Sequence, residues 1–372
     1  MKSKKKKSFI FWFMLFINVI CLAALVVGYL AAWVKPSIYW PIAFFGLAYP
    51  FNVIINILFA IYWIINKRWF AIVPLLVIAM GWNTLFDYVQ FGNDKNSASQ
   101  NQLSILTYNA HSFKPINTNK YDKKSKHEML EMVLNTKTDI ICFQEFYYRK
   151  RGVYDIKDSL MQKGGYSYCE QEVYDSNDNE TMSIAIFSKY PIINYEVVHF
   201  YDIKHANVCT YADILFKEDT IRIFNIHLQS ISFQPEDYQY LDQVKSVETD
   251  MQSNKRIGSR LKHAFIRRGD QAEQVAQLID ESPYPVLVCG DFNDTPASYA
   301  FNIISRDLKD SFREKGNGIG VTYNGAFPNF QIDYILCSKA FEVNDYKIIK
   351  KKYSDHYPIK AVFSLPDTKA NN

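Results

Sequence analysis

The chain has 372 residues, 48% of them hydrophobic and 22% charged, with a formal net charge of +4. Eight of its 42 Lys and Arg residues, but only one of its 38 acids, precede Gly92, so the remainder is slightly acidic, near −3. This division excludes a fully soluble protein, a disordered or collagen-like chain and a disulfide-dense mini-protein, and it removes net charge as an argument for nucleic-acid binding.

No charged residue occurs in 9–34, 36–66 or 69–86. A bilayer core of about 30 Å needs roughly 20 apolar residues in a helix. Three transmembrane helices are therefore expected in an N-terminal anchor, residues 1–91. The first run far exceeds the roughly 7–15-residue apolar core of a cleaved signal, and no small-residue cleavage site follows it. Lys4 to Lys7 and the Asn66-Lys67-Arg68 turn are the basic ends and belong on the cytoplasmic side. The Lys35-Pro36-Ser37 turn then faces outward, and an odd number of spans carries the rest of the chain out of the cytoplasm. The expectation is a multi-pass protein of the cell (inner) membrane with a cytoplasmic N-terminus and an extracytoplasmic soluble part. Trp33, Tyr39, Trp40, Trp63, Trp69 and Trp82 sit near predicted ends, as interfacial aromatics do. Asn52 and Asn56 share a helix face suited to bonding a neighbouring helix. With no ionisable group to mark a transport path, the region reads as an anchor.

Residues 92–102 are small and polar, as a linker is. Short apolar, β-branched runs follow at 103–107, 139–143, 183–188, 220–226, 285–289, 332–337 and 357–364, and read as strands. Helical patterns lie among them at 124–135, 155–163, 253–281 and 299–304. The mixture implies a single α/β (α+β) domain over 103–367, with a short tail, 368–372. Cys142, Cys289 and Cys337 fall inside strand runs as buried thiols. Whether Cys169 and Cys209 pair in an oxidising compartment is open.

Many of these strands end in polar clusters: Tyr108-Asn109-Ala110-His111, Gln144-Glu145, His227, and Gly290-Asp291-Phe292-Asn293. Carboxylates, carboxamides and imidazoles arriving on separate rigid strands suit a hard-metal and acid/base site. Glu145 reads as a ligand for Mg2+ or Mn2+, or as a surface acid at a turn. Asp291 and Asn293 share one side of an extended chain, as proton acceptor and hydrogen-bond donor, or else form an Asx-type turn. Asp333 lies within an apolar strand, where a charge needs a partner. His356, in Ser354-Asp355-His356, would serve, held as an imidazolium for phosphate binding. The six bases within 253–268 read as a solvated helix face or as a phosphate contact beside the site.

In order and spacing these motifs resemble the endonuclease/exonuclease/phosphatase (deoxyribonuclease I-like) superfamily, over roughly residues 103–365. The resemblance implies a four-layer sandwich of two packed β-sheets flanked by helices. It implies Mg2+ (or Mn2+) held by Glu145 with Asn109 and Asp355, and Asp291 orienting or deprotonating the attacking water. Asn293 would bond the phosphate, and His356 with Asp333 would stabilise the transition state. His227 would contact the phosphate or protonate the leaving group. His111 stands where some repair-type members carry a further acidic ligand. The function implied is a membrane-anchored, divalent-metal-dependent phosphoesterase acting on a phosphodiester or phosphomonoester through activated water. Its partners would be the lipid bilayer and a phosphoester: a lipid headgroup, a nucleic acid or a small phosphate ester. No obligate protein partner is evident. The alternatives are an endo/exonuclease acting on extracytoplasmic nucleic acid and a catalytically inactive binding domain on the same fold.

Overall fold

A computed structural model describes residues 9–92, 101–115, 122–150, 152, 155–200, 206–244, 250–325 and 328–365. Lys4 to Lys7, most of the linker and the tail lie outside these residues.

In the N-terminal segment, α1 (Phe9–Leu30) is one helix of 22 residues. At 1.5 Å per residue it matches an apolar core of about 30 Å. The other two predicted spans are broken. The second forms α2 (Pro36–Tyr39), α3 (Pro41–Leu47) and α4 (Tyr49–Ile65), with 65° between α3 and α4. Pro36, Pro41 and Pro50 stand at the starts of these pieces, because proline fits a first turn and breaks a helix interior. In the third, a 3-10 turn at Trp69–Ala71 leads into α5 (Ile72–Met80), which meets α6 (Trp82–Tyr88) at 69° across Gly81. Glycine is a poor helix residue and yields there. By length and composition, one helix suffices to cross a membrane, and up to three spans exist if each bent pair counts as one. Asn56 Nδ2 donates to Cys21 O of α1 at 3.1 Å, the inter-helix contact its position suggested. Trp63, expected at an interface, is instead buried and donates its indole N–H to Asn18 Oδ1 at 2.9 Å.

After β1 (Val89–Phe91) come β2 (Gln102–Asn109), α7 (Lys123–Asn135), β3 (Ile140–Arg149), α8 (Ile156–Gly164), β4 (Tyr168–Ser176) and β5 (Glu180–Ser188). Next are β6 (Ile192–Val198), β7 (Val208–Phe216), β8 (Asp219–His227), α9 (Pro235–Val244), α10 (Met251–Asp280), β9 (Val286–Asp291) and α11 (Tyr299–Ser305). The chain ends through β10 (Lys309–Asp310), α12 (Ser311–Lys315), β11 (Asn317–Ile319), β12 (Asp333–Cys337), β13 (Glu342–Ile348) and β14 (Ile359–Ser364).

Two six-stranded sheets run β13-β14-β2-β3-β5-β4 and β10-β12-β9-β8-β7-β6. Ile105, Cys142 and Ile186 of the first pack against Ile223, Leu287 and Ile335 of the second. The next residues along, Leu106, Ile141 and Phe187, point outward to α7 and α8, because successive strand side chains alternate. On the opposite flank, Val288, Phe224 and Leu336 meet α10 and α11. Helices thus cover both outer faces, and the central strands read as continuous apolar runs. Cys142, Cys289 and Cys337 lie in the inter-sheet core, and Cys169 and Cys209 are free thiols. The pairs β2–β3 and β8–β9 are parallel. Their C-terminal ends, and the N-terminal ends of the antiparallel β12 and β14, emerge at one edge of the sandwich.

Candidate active site

That edge gathers the polar clusters. Asn109 closes β2 beside Gln144 of β3. The β3–β5 register shifts between Phe143 and Phe146, and Glu145 adopts φ +49°. This bulge re-aims a side chain: Glu145 reaches the cleft while Gln144 stays buried between the sheets. Gln144 donates there to Asn225 Oδ1 at 2.6 Å and Thr107 Oγ1 at 3.0 Å. In the second sheet His227, Asp291 and Asp333 are directly in register across β8, β9 and β12, so they form a row on one face. Before Asp291, a Cβ on Gly290 (φ +142°) would lie 2.0 Å from Ile226 O. Only glycine permits that approach of β9 to β8.

Asp291 is the hub. Its Oδ2 accepts from Asn109 Nδ2 at 3.0 Å, which ties the two sheets together. His227 Nε2 and His356 Nε2 lie 3.6 and 3.7 Å from the same oxygen. Asn293 adopts φ +54° and donates its backbone N–H to Asp291 Oδ1 at 2.8 Å. The extended alternation therefore stops at Asp291, and a turn brings Asn293 Nδ2 to 3.2 Å from Asp291 Oδ2. His227 Nδ1 faces the Ala206 carbonyl at 2.9 Å; a carbonyl only accepts, so Nδ1 carries the proton and Nε2 turns to Asp291. His356 Nδ1 lies 3.0 and 3.1 Å from the two oxygens of Asp333.

Burial raises the Asp291 carboxyl above its ordinary value; Asp333 adds to this, while His356, His227 and Asn109 oppose it. For His356, burial works against the charge, but Asp333 and Asp291 outweigh it and hold the ring well above 6.5. The row thus contains a buried imidazolium beside a carboxyl group of raised proton affinity, a pairing suited to acid/base work.

Glu145 and Asp355 stand either side of His111, whose Nδ1 lies 4.0 Å from Glu145 Oε2 and 3.3 Å from Asp355 Oδ1. Asn109 adjoins them, its Oδ1 accepting from the His111 N–H at 3.1 Å. Two part-exposed carboxylates with a carboxamide make a hard-oxygen set that fits Mg2+ or Mn2+. A tighter group, Asp291, Asp333 and His356, places ligand atoms within 4.8 Å of one another. There both Asp333 oxygens already face His356 Nδ1, so we read it as an ion pair. Asn109, Glu145, His227, Asp291, Asn293, Asp355 and His356 all line one cleft of about 220 Å3, and Asp333 stands behind His356.

The basic stretch of α10 divides. Arg256 and Arg260 pair with Asp237 at 2.6 and 3.0 Å, and Lys262 lies over the Trp40 ring at 5.0 Å. Arg268 is buried in the cleft wall, with its Nε 3.4 Å from Asp294 Oδ2. The sequence carried a signal for it: Leu261, Ala264, Phe265, Arg268 and Ala272 form the buried stripe of α10, and a base on an apolar stripe needs a reason.

Two packed sheets with helices outside and this cleft at their strand ends define the fold of a phosphoester hydrolase. The chain belongs to the endonuclease/exonuclease/phosphatase family, whose model matches residues 106–356 and whose members hydrolyse phosphoesters. Residues 9–88 match a second family model, described as a domain of unknown function (DUF8431). An endonuclease/exonuclease/phosphatase from Beutenbergia cavernae DSM 12333 superposes with a TM-score of 0.51 at 15% identity, over 72% of each chain. One from Bacteroides vulgatus gives 0.51 at 17% identity, over 72% of this chain and 100% of its own. These likenesses speak for the fold. No curated protein matches the sequence.

Proposed function

We propose that this protein is a membrane-anchored, divalent-metal-dependent phosphoesterase. The observation that carries the reading is Asp291, hydrogen-bonded by Asn109 and Asn293 and flanked by two imidazoles at 3.6 and 3.7 Å. Glu145, Asp355 and Asn109 would hold Mg2+ or Mn2+, which supplies charge neutralisation at phosphoryl oxygens. Asp291 takes a proton from the attacking water, and Asn293 donates to a phosphoryl oxygen. His356, fixed and charged by Asp333, meets the negative charge that develops. His227 contacts the phosphate or protonates the leaving oxygen. Such acid/base assistance contributes roughly 10²–10⁴-fold. With full-length protein, Mn2+ or Mg2+ and bis(p-nitrophenyl) phosphate, we expect p-nitrophenol release that EDTA abolishes and added metal restores. Turnover that persists in chelator would reject the metal assignment, and none with either ion would leave a binding domain.

The anchor comprises residues 1–91, joined by the linker at 92–102 to the catalytic domain, 103–367. Among the described residues, 30 of the 35 large apolar side chains that stay exposed precede Gly92, which supports a lipid environment for that region. In our reading it crosses the inner membrane an odd number of times, with Lys4 to Lys7 cytoplasmic and the catalytic domain extracytoplasmic. Protease added to intact spheroplasts should therefore clip the catalytic domain; protection there, with cleavage only after lysis, overturns the orientation.

A further inference from the structure

The cleft has unlike walls. Its floor carries Asn109, Glu145, Asp291 and Asp355, while apolar groups gather on its other side: Ile231, Phe233, Leu261, Phe265, Phe330 and, from the anchor, Leu47, with Ser230 and Ser232 among them. Leu47 ends α3 at the 65° elbow with α4.

The elbow is held against the catalytic domain by several contacts. Phe44 meets Phe265 edge-on (5.2 Å, 87°), and Phe51 meets Phe330 (6.2 Å, 81°). A Cβ on Gly46 would lie 3.0 Å from the carbonyl of Ala297, on the loop that leaves β9 after Asp291. Ala297 is buried among Leu25, Tyr49 and Tyr88 of the anchor. Lys35 pairs with Asp270 and Glu273 of α10 at 2.9 and 2.6 Å, Arg313 donates to Asp87 at 2.9 Å, and β1 pairs with β11. All these anchor residues belong to one end of the helical bundle, and Asn66 to Arg68 lie beyond the 17 residues of α4, about 25 Å away. From that side, apolar surface continues onto α4 through the exposed side chains of Phe51, Ile54 and Ile55. Arg268 adds a second kind of feature. It is 2% exposed and lines the same wall, and its Nη2 has no hydrogen-bond partner among the described residues. Its charge is met within the wall by Asp294, 3.4 Å from Nε.

We propose that the α3–α4 elbow of the anchor is a wall of the active site, and that the substrate is a phosphoester borne on a lipid chain and presented from the bilayer. The inference rests on the phosphoesterase reading above. The lipid chain lies along Leu47, Phe265 and Phe330, and the reacting phosphate sits over Asp291. Water adds to phosphorus, its proton passes to Asp291, the P–O bond to the leaving alcohol breaks, and that oxygen takes a proton. A nucleic acid asks for a cationic track, whereas Arg256 and Arg260 are paired with Asp237 and Lys262 covers Trp40.

The test uses full-length protein in phosphatidylethanolamine/phosphatidylglycerol nanodiscs with Mn2+. Two diesters share one leaving group: hexadecyl p-nitrophenyl phosphate and methyl p-nitrophenyl phosphate. We expect kcat/KM at least about ten-fold higher for the hexadecyl ester, one decade being about 1.4 kcal/mol. Partition into the disc alone also favours the long chain, so the variants decide: Leu47→Ser, and Phe330→Ser should the first disturb the elbow, are expected to lower the hexadecyl-to-methyl ratio at least about five-fold. A wild-type ratio near one, a ratio unmoved in both variants, or faster cleavage of single-stranded DNA than of the hexadecyl ester overturns the proposal while the hydrolase reading stands. Release of p-nitrophenol from neither ester overturns that reading and this inference with it.

Discussion

Asp291→Asn is expected to lower kcat/KM for phosphodiester hydrolysis by at least about 10³-fold while leaving the fold and the Glu145 and Asp355 carboxylates in place, at the cost of the hydrogen bonds that Oδ2 accepts. Asparagine matches the shape of the carboxylate and keeps an oxygen at Oδ1 to accept the Asn293 N–H, a contact of 2.8 Å. What is lost is the proton acceptor of the proposed mechanism, together with the Oδ2 acceptor of Asn109 and Asn293. Asp291 is 1% exposed and sits between two imidazoles and two carboxamides, so no water stands in for it freely. Because burial raises its proton affinity, the acid limb of the wild-type rate profile should begin above the range of an ordinary carboxylate. A base works only when deprotonated, so activity falls as pH drops through that raised value; the residual rate of the variant should lack this limb. Glu145→Ala is the contrasting case. It should match the loss of turnover but also weaken Mn2+ binding by calorimetry, more than Asp291→Asn should. Near-normal turnover in the Asn variant would remove Asp291 from proton transfer.

How far the sequence speaks for this arrangement depends on what each residue's pattern can encode. The central strands β2, β3, β8 and β9 were readable as apolar runs, because helices cover the outer face of each sheet. The edge strands β4 and β6 were not, since Tyr168–Ser176 and Ile192–Val198 mix polar and apolar residues with partial exposure. β7 was obscured by Asp213, a buried acid whose partner Arg222 lies on β8 at 2.6 Å. Polar groups at strand ends were legible because strand ends converge. The bulge that aims Glu145 and the turn that returns Asn293 to Asp291 were not, because hydrophobic periodicity carries no sign of a positive φ. In the N-terminal segment the long apolar runs concealed the breaks at Pro50 and Gly81. Nothing local to Leu47 announces that it will face Phe330; such a contact follows only from the docking of the two units.

Asp333→Asn is expected to reduce turnover by about 10²–10³-fold near pH 8 and by much less near pH 5.5. Both oxygens of Asp333 lie within 3.1 Å of His356 Nδ1, and the carboxyl group is 2% exposed, so its field on the ring is little screened. In the wild type that field, with Asp291, overcomes the burial that opposes the charge and keeps His356 protonated well above 6.5. With Asn at 333, burial meets only the remaining acids and the ring's proton affinity falls. The sign follows: an imidazolium needed for the transition state is lost as pH rises through its new, lower value, so the variant should fail on the alkaline side first. The gap between the two proteins then widens with pH. His356→Ala, with no ring to protonate, should show a deep loss without recovery at low pH. The measurement is kcat/KM for one diester from about pH 5 to 9 at saturating Mn2+. A purely structural role for Asp333 would lower activity by the same factor at every pH, and a constant ratio across that range would take His356 protonation out of the mechanism.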